Sequence, residues 1–245
     1  TDITGCVLWL DAANFNSLGF NSTEGNGQKL ATWYDLSGRN NNVAQANTTF
    51  MPNWYSGSNL RGRPYLEFDG TSSVLFNAAA ELLGLANGDN TFIAVFESDV
   101  TTAETYGQVV VGINTSSGAV RAGINVNSSG SGGGGADSVA YYNKTTTANY
   151  CHITSAGVTE PKIVIGRKNG TNLDIVDENG NTDTYASGSS TTSGAYFTVG
   201  ARFTGTSDFS EFNGQIHELI CYDDNISDAD RDKLIYYLKN KWNIL

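Results

Sequence analysis

The sequence predicts an all-β, two-sheet antiparallel sandwich finished by a C-terminal α-helix. Three observations predict it. Short runs rich in Val, Ile, Thr, Tyr and Phe recur along nearly the whole chain, as half-buried pleated surfaces favour. Gly, Asn, Asp and Ser break these runs at the intervals of a sandwich. Helical signals are confined to two segments, of which only the last is long.

In chain order, strands are expected at Val7–Leu10, Leu30–Trp33, Tyr65–Phe68, Phe92–Phe96, Gln108–Ile113 and Val120–Ile124. Further strands are expected at Val139–Tyr142, Cys151–Thr154, Lys162–Gly166, Leu173–Val176, Thr182–Ala186, Phe197–Ala201 and Gln215–Tyr222. Asn179-Gly180 falls between two of them, and Asn-Gly suits the positive φ angles of a tight hairpin. A short helix is expected over Ala78–Leu85 with Asn77 as its cap. The closing helix starts at Ser227, carries Asp228 and Asp230 in its first turn and Lys239 and Lys241 near its end, in keeping with the helix dipole. Leu234, Leu238 and Trp242 share one stripe, which is expected to pack on the sandwich.

With 245 residues, of which 39% are hydrophobic, the chain is long enough to bury a large core as a single domain spanning 1–245. No apolar run reaches the roughly 20 residues of a membrane-crossing helix, so membrane insertion is not expected. The first residues carry neither a basic segment nor an apolar leader, and read as the start of a processed or excised chain. Fourteen Lys+Arg against 25 Asp+Glu give a net charge of −11. Nucleic-acid binding needs clustered cations to neutralise phosphates, and no basic run occurs. The same deficit disfavours an anionic membrane surface. Only 16% of residues are charged, below the usual quarter. Solubility therefore rests on Ser, Thr, Asn and Gly, a composition familiar from secreted proteins, adhesins and virus particles. Three cysteines make no framework. They are either small buried side chains or, if the terminal strands pair, a Cys6–Cys221 couple with Cys151 left over.

Two sets of residues carry a pattern beyond composition. Near the start stand Leu8-Trp9-Leu10-Asp11-Ala12, Trp33-Tyr34-Asp35-Leu36-Ser37-Gly38-Arg39-Asn40, Pro52, and Gly62-Arg63-Pro64-Tyr65-Leu66-Glu67-Phe68-Asp69-Gly70. Near the end stand Phe212-Asn213-Gly214-Gln215-Ile216-His217-Glu218-Leu219, then Tyr222, Ile226-Ser227, Arg231, Tyr237-Leu238 and Lys241-Trp242. In order and spacing these resemble the laminin-G-like branch of the concanavalin A-like lectin/glucanase superfamily. The resemblance implies a jelly roll with the first and last strands adjacent and the terminal helix beside them. It also implies an extracellular, cell-surface or virion-surface setting, a glycan or surface protein as partner, and in some members calcium. A calcium site built from Asp11, Asp35 or Asp69 is the expectation the resemblance raises.

Glucanases of this superfamily place carboxylates at alternate positions of one strand, so that acid and nucleophile flank one bond. Glu67-Phe68-Asp69 begins such a pattern, but Thr71 and Ser72 stand where the third carboxylate belongs. His152 and His217 are the only histidines, no Gly-x-Ser-x-Gly elbow occurs, and neither histidine has zinc-ligand spacing. Asp177-Glu178-Asn179-Gly180-Asn181-Thr182-Asp183 has the alternating oxygens of a calcium loop but lacks its sixth-position glycine and closing Glu, and reads as a hairpin tip. Asp35 and Asp69 read equally as turn residues.

Glycan binding calls for aromatic platforms beside amides and carboxylates. The candidates are Trp54 and Tyr55 with Asn53 and Asn59 in an expected loop, and Tyr106 and Tyr141-Tyr142 near strand ends. The leading expectation is a non-catalytic carbohydrate- or surface-binding module. One alternative is a coat, fibre or filament subunit that self-associates, as a homo-oligomer would. The other is an unusual glycoside-cleaving enzyme acting through Glu67 or Asp69.

Overall fold

The computed structural model describes residues 3–57, 62–79, 84–85, 88–129, 134–143, 149–186, 194–204 and 208–245. In chain order the strands are β1 (Cys6–Asp11), β2 (Leu18–Phe20), β3 (Gln28–Trp33), β4 (Val43–Ala44), β5 (Asn53–Tyr55), β6 (Tyr65–Asp69), β7 (Leu75–Asn77), β8 (Asn90–Ser98), β9 (Gln108–Asn114) and β10 (Val120–Val126). They continue as β11 (Val139–Asn143), β12 (Tyr150–Ile153), β13 (Lys162–Asn169), β14 (Asn172–Asp177), β15 (Thr182–Ala186), β16 (Tyr196–Val199), β17 (Arg202–Phe203), β18 (Asp208–Phe209) and β19 (Asn213–Tyr222). Helix α1 (Asp228–Trp242) follows.

Two antiparallel sheets result, with β17 and β18 paired as a separate short ribbon. In one, β19 lies at the centre. Its first half pairs with β6 and its second half with β1 along one edge, while β8, β13, β14 and β15 follow on the other. The second sheet runs β2–β3–β4–β7–β16–β9–β10–β11–β12. Strand β3 belongs to both, pairing with β4 in one and β5 in the other. We call them the β19 sheet and the β9 sheet.

Side-chain alternation fills the space between them. Leu8, Leu10, Phe68, Phe92, Phe96, Val111, Ile113, Ile124, Tyr141, Phe197 and Phe212 meet in one buried cluster. The alternate residues of the β19 sheet, among them Ile93, Val95, Ile163, Ile165, Ile220 and Tyr222, form a second cluster beneath α1 with Leu234, Leu238 and Trp242. Each such side chain contributes about 1.5–3 kcal/mol when buried. The helix begins where Ser227 Oγ accepts the Asp230 N–H at 3.1 Å, and ends at Asn243 in the left-handed conformation, φ 51°. Both are standard stop and start devices.

Every strand expected from the sequence is present, and so is the terminal helix. The added strands are two or three residues long, too short for alternation to show. One of them corrects an expectation: Trp54 and Tyr55 lie in strand β5, not a loop. Asn77 Oδ1 accepts the Ala79 N–H at 2.8 Å, as a cap would, but residues 80–83 of the expected Ala78–Leu85 helix lie outside the described residues.

The terminal strands do pair, with Cys6 opposite Tyr222 and Leu8 opposite Cys221 across a bulge. Cys221 nevertheless sits in the inter-sheet cluster and Cys6 against the helix-side cluster. Strand alternation thus sends the thiols to opposite faces, and all three cysteines are free. Among the described residues no helix is long and apolar enough to cross a membrane.

Candidate functional site

The motif residues at the chain ends converge on a buried polar knot. Glu218 is fully buried in β19. Its Oε1 accepts Trp9 Nε1–H at 2.7 Å, and its Oε2 accepts Trp242 Nε1–H at 2.6 Å and Lys241 Nζ at 2.8 Å. Lys241 also donates to Asp11 Oδ2 at 2.7 Å, while Asp11 Oδ1 accepts the Ala13 N–H. Burial raises the Glu218 pKa against the pull of Lys241, with Asp11 adding repulsion. Burial alone would lower Lys241, yet Glu218 and Asp11 raise it. A buried charge set with every oxygen engaged is a fastening between helix and sheet, not an open site.

The other two aspartates of the expected calcium site hold turns. Asp35 accepts the N–H groups of Trp9, Ser37 and Asn41 and the Ser37 hydroxyl, all within 2.9 Å. Asp69 accepts the N–H groups of Thr71, Ser72 and Ser73 and the Ser72 hydroxyl. Partial burial raises the Asp69 pKa, but these four donors outweigh it and hold the carboxyl well below its usual range. Among the described residues no three Asp, Glu, His or Cys side chains group as metal ligands. Asp11, Asp35 and Asp69 do not fit a shared cation. Asp177 likewise spends its carboxylate on Asn179 and Asn181 within the β14–β15 hairpin.

The carboxylates considered for glycoside cleavage are also placed. Glu67 lies on the outer face of the β19 sheet in a row Asn53–Glu67–Gln215–Glu97, so an amide separates the two acids. Tyr55 stacks on Tyr65 at 5.3 Å beside Glu67. Burial first, then Glu67, raises the Tyr55 pKa.

The aromatic candidates separate sharply. Trp54 is buried, its Nε1–H donated to the Ala12 carbonyl at 2.9 Å and its ring edge-on to Phe15 and Phe20. Tyr141 is also buried, its hydroxyl donated to Asn90 Oδ1 across the sandwich. It uses space left by Gly166 in the facing sheet, where a Cβ would come within 2.4 Å of the ring. Neither residue offers a ring face to a ligand, and both expectations are corrected on that ground. Asn59 lies outside the described residues. Tyr55 is half-buried, and Tyr106 is 62% exposed.

Tyr106 belongs to a polar and aromatic patch on the outer face of the β9 sheet. The Arg202 guanidinium lies 5.1 Å from its ring centre, within cation–π range. Asn125 Nδ2 donates to the Tyr106 carbonyl at 3.4 Å. Asn125 is 1% exposed, and its Oδ1 has no hydrogen-bond partner among the described residues. Across the same face Tyr142 lies opposite Gly123, Gly123 opposite Gly112, and Gly112 opposite Thr198. Two glycines on neighbouring strands thus put no side chain between Tyr142 and Thr198, and all four residues are buried. Gly123 is required there: its φ is +149°, and a Cβ would lie 2.2 Å from the Val111 carbonyl oxygen. Asn114 donates to Thr198 Oγ1 at 2.5 Å, and its own Oδ1 is a second buried acceptor without a partner.

Buried amide oxygens without donors cost about 1–3 kcal/mol each unless something supplies an O–H or N–H. The patch therefore holds one exposed ring, that of Tyr106, a largely buried guanidinium against it, and buried unpaired amide oxygens at Asn125 and, at the other end of β9, at Asn114. None of Tyr106, Asn114, Asn125, Tyr142, Thr198 and Arg202 is a carboxylate, imidazole or thiol. Sequence reasoning found Tyr106 and Tyr142 but missed Asn125 and Arg202. Strand alternation held the signal for Tyr142, since Val139 and Tyr141 share the inner face and Tyr142 the other.

The chain aligns over 98% of its length with Trypanosoma rangeli sialidase in complex with sialic acid, at TM-score 0.62 and 13% identity, covering 33% of that chain. It aligns over 96% with the binding domain of Paraclostridial Mosquitocidal Protein 1, at TM-score 0.60 and 12% identity, covering 53% of that chain. The binding domain of botulinum neurotoxin DC in complex with SialylT matches over 96%, at TM-score 0.56 and 13% identity, with 52% of that chain covered. The chain thus spans a third of the sialidase and about half of each binding domain. Such identities show a shared β-rich, lectin-like fold. No family model and no curated protein matches the chain.

Proposed function

We propose that this chain is a non-catalytic, glycan-binding module of an extracellular protein, built on a laminin-G-like, concanavalin A-like jelly roll. The observation that carries the reading is the β9-sheet patch, where the exposed Tyr106 ring and the Arg202 guanidinium adjoin Asn125, whose buried amide oxygen is unpaired. Pyranose rings present an apolar face and several hydroxyl donors, which suit a tyrosine platform and amide acceptors. The fold is shared with toxin binding domains, one of which is known in complex with SialylT and with rat synaptotagmin II. A cell-surface protein partner is the other class that company supports. The non-catalytic part rests on the carboxylates: Asp69 is consumed by its turn, and Gln215 stands between Glu67 and Glu97.

A glycan array comparing the wild type with Tyr106→Ala and Arg202→Ala tests the proposal. Retention of a discrete glycan set, weakened at least about tenfold in both variants at unchanged melting temperature, is expected. Reducing-end release from a polysaccharide that Glu67→Ala abolishes would overturn it, as would retention of no glycan at all. Polymerisation without glycan retention would instead identify a coat or filament subunit.

A further inference from the structure

The fastening at Glu218 holds more than an ion pair needs. Asp11 and Glu218 lie directly opposite each other where β1 pairs with β19. Asp11 is 5% and Glu218 0% exposed. Like charges at opposite positions repel, and one ammonium between two carboxylates leaves an excess negative charge out of water. Burying charge is costly even when it is paired.

Lys241 enters from the last turn of α1. Its Nζ stands 2.7 Å from Asp11 Oδ2 and 2.8 Å from Glu218 Oε2. Three rings surround it, with centres at 5.1 Å for Trp242, 5.7 Å for Tyr237 and 5.9 Å for Trp9. A nitrogen touching one carboxylate oxygen is already close to the carbon that bears it, which is the arrangement from which a bond forms. The other oxygen, Asp11 Oδ1, accepts the Ala13 N–H at 2.9 Å. That donor supports the negative charge that gathers on Oδ1 when nitrogen attacks. Glu218 touches the same nitrogen, and burial raises its affinity for a proton.

We propose that Lys241 and Asp11 condense in the folded chain into an intramolecular amide, with Glu218 carrying the protons. Glu218 takes a proton from the Lys241 ammonium, and the freed lone pair on Nζ attacks Asp11 Cγ to form the C–N bond. Two of the three Nζ protons pass by way of Glu218 to Oδ2, the Cγ–Oδ2 bond breaks, and that oxygen leaves as water. Nothing is oxidised or reduced, and Glu218 ends as it began. One neutral amide replaces a buried cation and a buried anion, and its oxygen keeps the Ala13 N–H. Because both acids hold the proton on Lys241, the step is slow and follows folding.

The other buried lysine pair lacks the third group. Lys162 Nζ lies 2.6 Å from Glu178 Oε1, but among the described residues no second carboxylate pairs with it. It is expected to remain unlinked. The Lys241–Asp11 amide, by contrast, joins residues 230 positions apart, so it closes most of the chain into one covalent ring and restricts its unfolded states. Force pulling β1 and α1 apart then loads that bond. The proposal does not depend on the glycan-binding reading.

The intact mass of the denatured chain, measured after refolding and again after prolonged incubation of the folded protein, tests it. A species one water lighter than the sequence is expected to grow with time. Trypsin should release residues 1–29 joined to 240–245 through Lys241, which it no longer cleaves. Lys241→Arg and Asp11→Ala are expected to keep the full mass, and so is Glu218→Gln, which retains the shape of the acid but not its basicity. Full mass in the wild type after prolonged incubation would overturn the proposal, whether or not any variant folds. So would a water loss that maps elsewhere in the chain or survives Lys241→Arg. Linkage of Glu218→Gln at the wild-type rate would overturn the part given to Glu218.

Discussion

Trp242, at the end of the helix, donates its indole N–H to Glu218 in the last strand at 2.6 Å, and Trp9 of the first strand donates to the other oxygen of the same carboxylate at 2.7 Å. Residues from both ends of the chain thus meet on one buried acid. Lys241 completes the set by bridging Glu218 and Asp11. Glu218→Ala would leave two indole donors without their acceptor and remove one partner of a buried ammonium. Loss of about 3–5 kcal/mol is expected in urea unfolding. Lys241→Met in the Glu218→Ala background should cost much less than in the wild type, because the partners act as a unit.

Asp69 makes stability depend on acid in a defined direction. Its folded-state pKa lies below the unfolded one, because Thr71, Ser72 and Ser73 donate to the carboxylate. Its contribution is therefore present above its ordinary value of about 3.8 and is lost as pH falls through the folded value. Asp69→Asn is expected to cost about 1–2 kcal/mol at neutral pH, allowing for solvent screening at this exposed turn. The difference from wild type should shrink progressively below pH ~4 in acid-titrated melts. A difference constant down to low pH would show that the carboxylate charge is not what holds the turn.

Gly166 and Tyr141 form a packing couple between the sheets. Gly166→Ala places a Cβ where the Tyr141 ring lies, and a cost of about 1–3 kcal/mol is expected. Tyr141→Ala is expected to cost about 3–5 kcal/mol. The double variant should be less destabilised than the sum, since the ring's cavity accepts the methyl group. Strict additivity would separate the two sites.

Calcium should matter little to stability. Asp11, Asp35 and Asp69 each spend their oxygens on local donors. Melting temperatures with excess calcium and with EDTA are expected to coincide. A rise of several degrees with calcium would mean that one of these carboxylates releases its donors to a cation.

How much of this was legible beforehand follows from the range of each interaction. Hairpin Asn179-Gly180, the Ser227 cap and the Leu234–Leu238–Trp242 stripe are local patterns, and all stand where the sequence places them. Strands β4, β5 and β7 were invisible because two or three residues carry no periodicity; they exist only because neighbours pair with them. Tyr55 and Tyr106 kept surface positions among the aromatic candidates, while Trp54 and Tyr141 did not. Trp54 looked like a loop residue beside Asn53, and Tyr141 differs from Tyr142 by one step along a strand.

By itself, then, the sequence determined the fold class, the principal strands and the terminal helix, because alternation, turn residues and caps act over a few residues. It also carried both halves of the knot at Glu218, without showing that they meet. Tertiary structure alone decided which aromatic rings reach solvent, which thiols share a face and which carboxylates remain available. Each depends on what lies across a sheet or beneath a helix: Gly166 under Tyr141, the bulge between Cys6 and Leu8, Gln215 between Glu67 and Glu97. Those partners are distant in the chain, and only register brings them together.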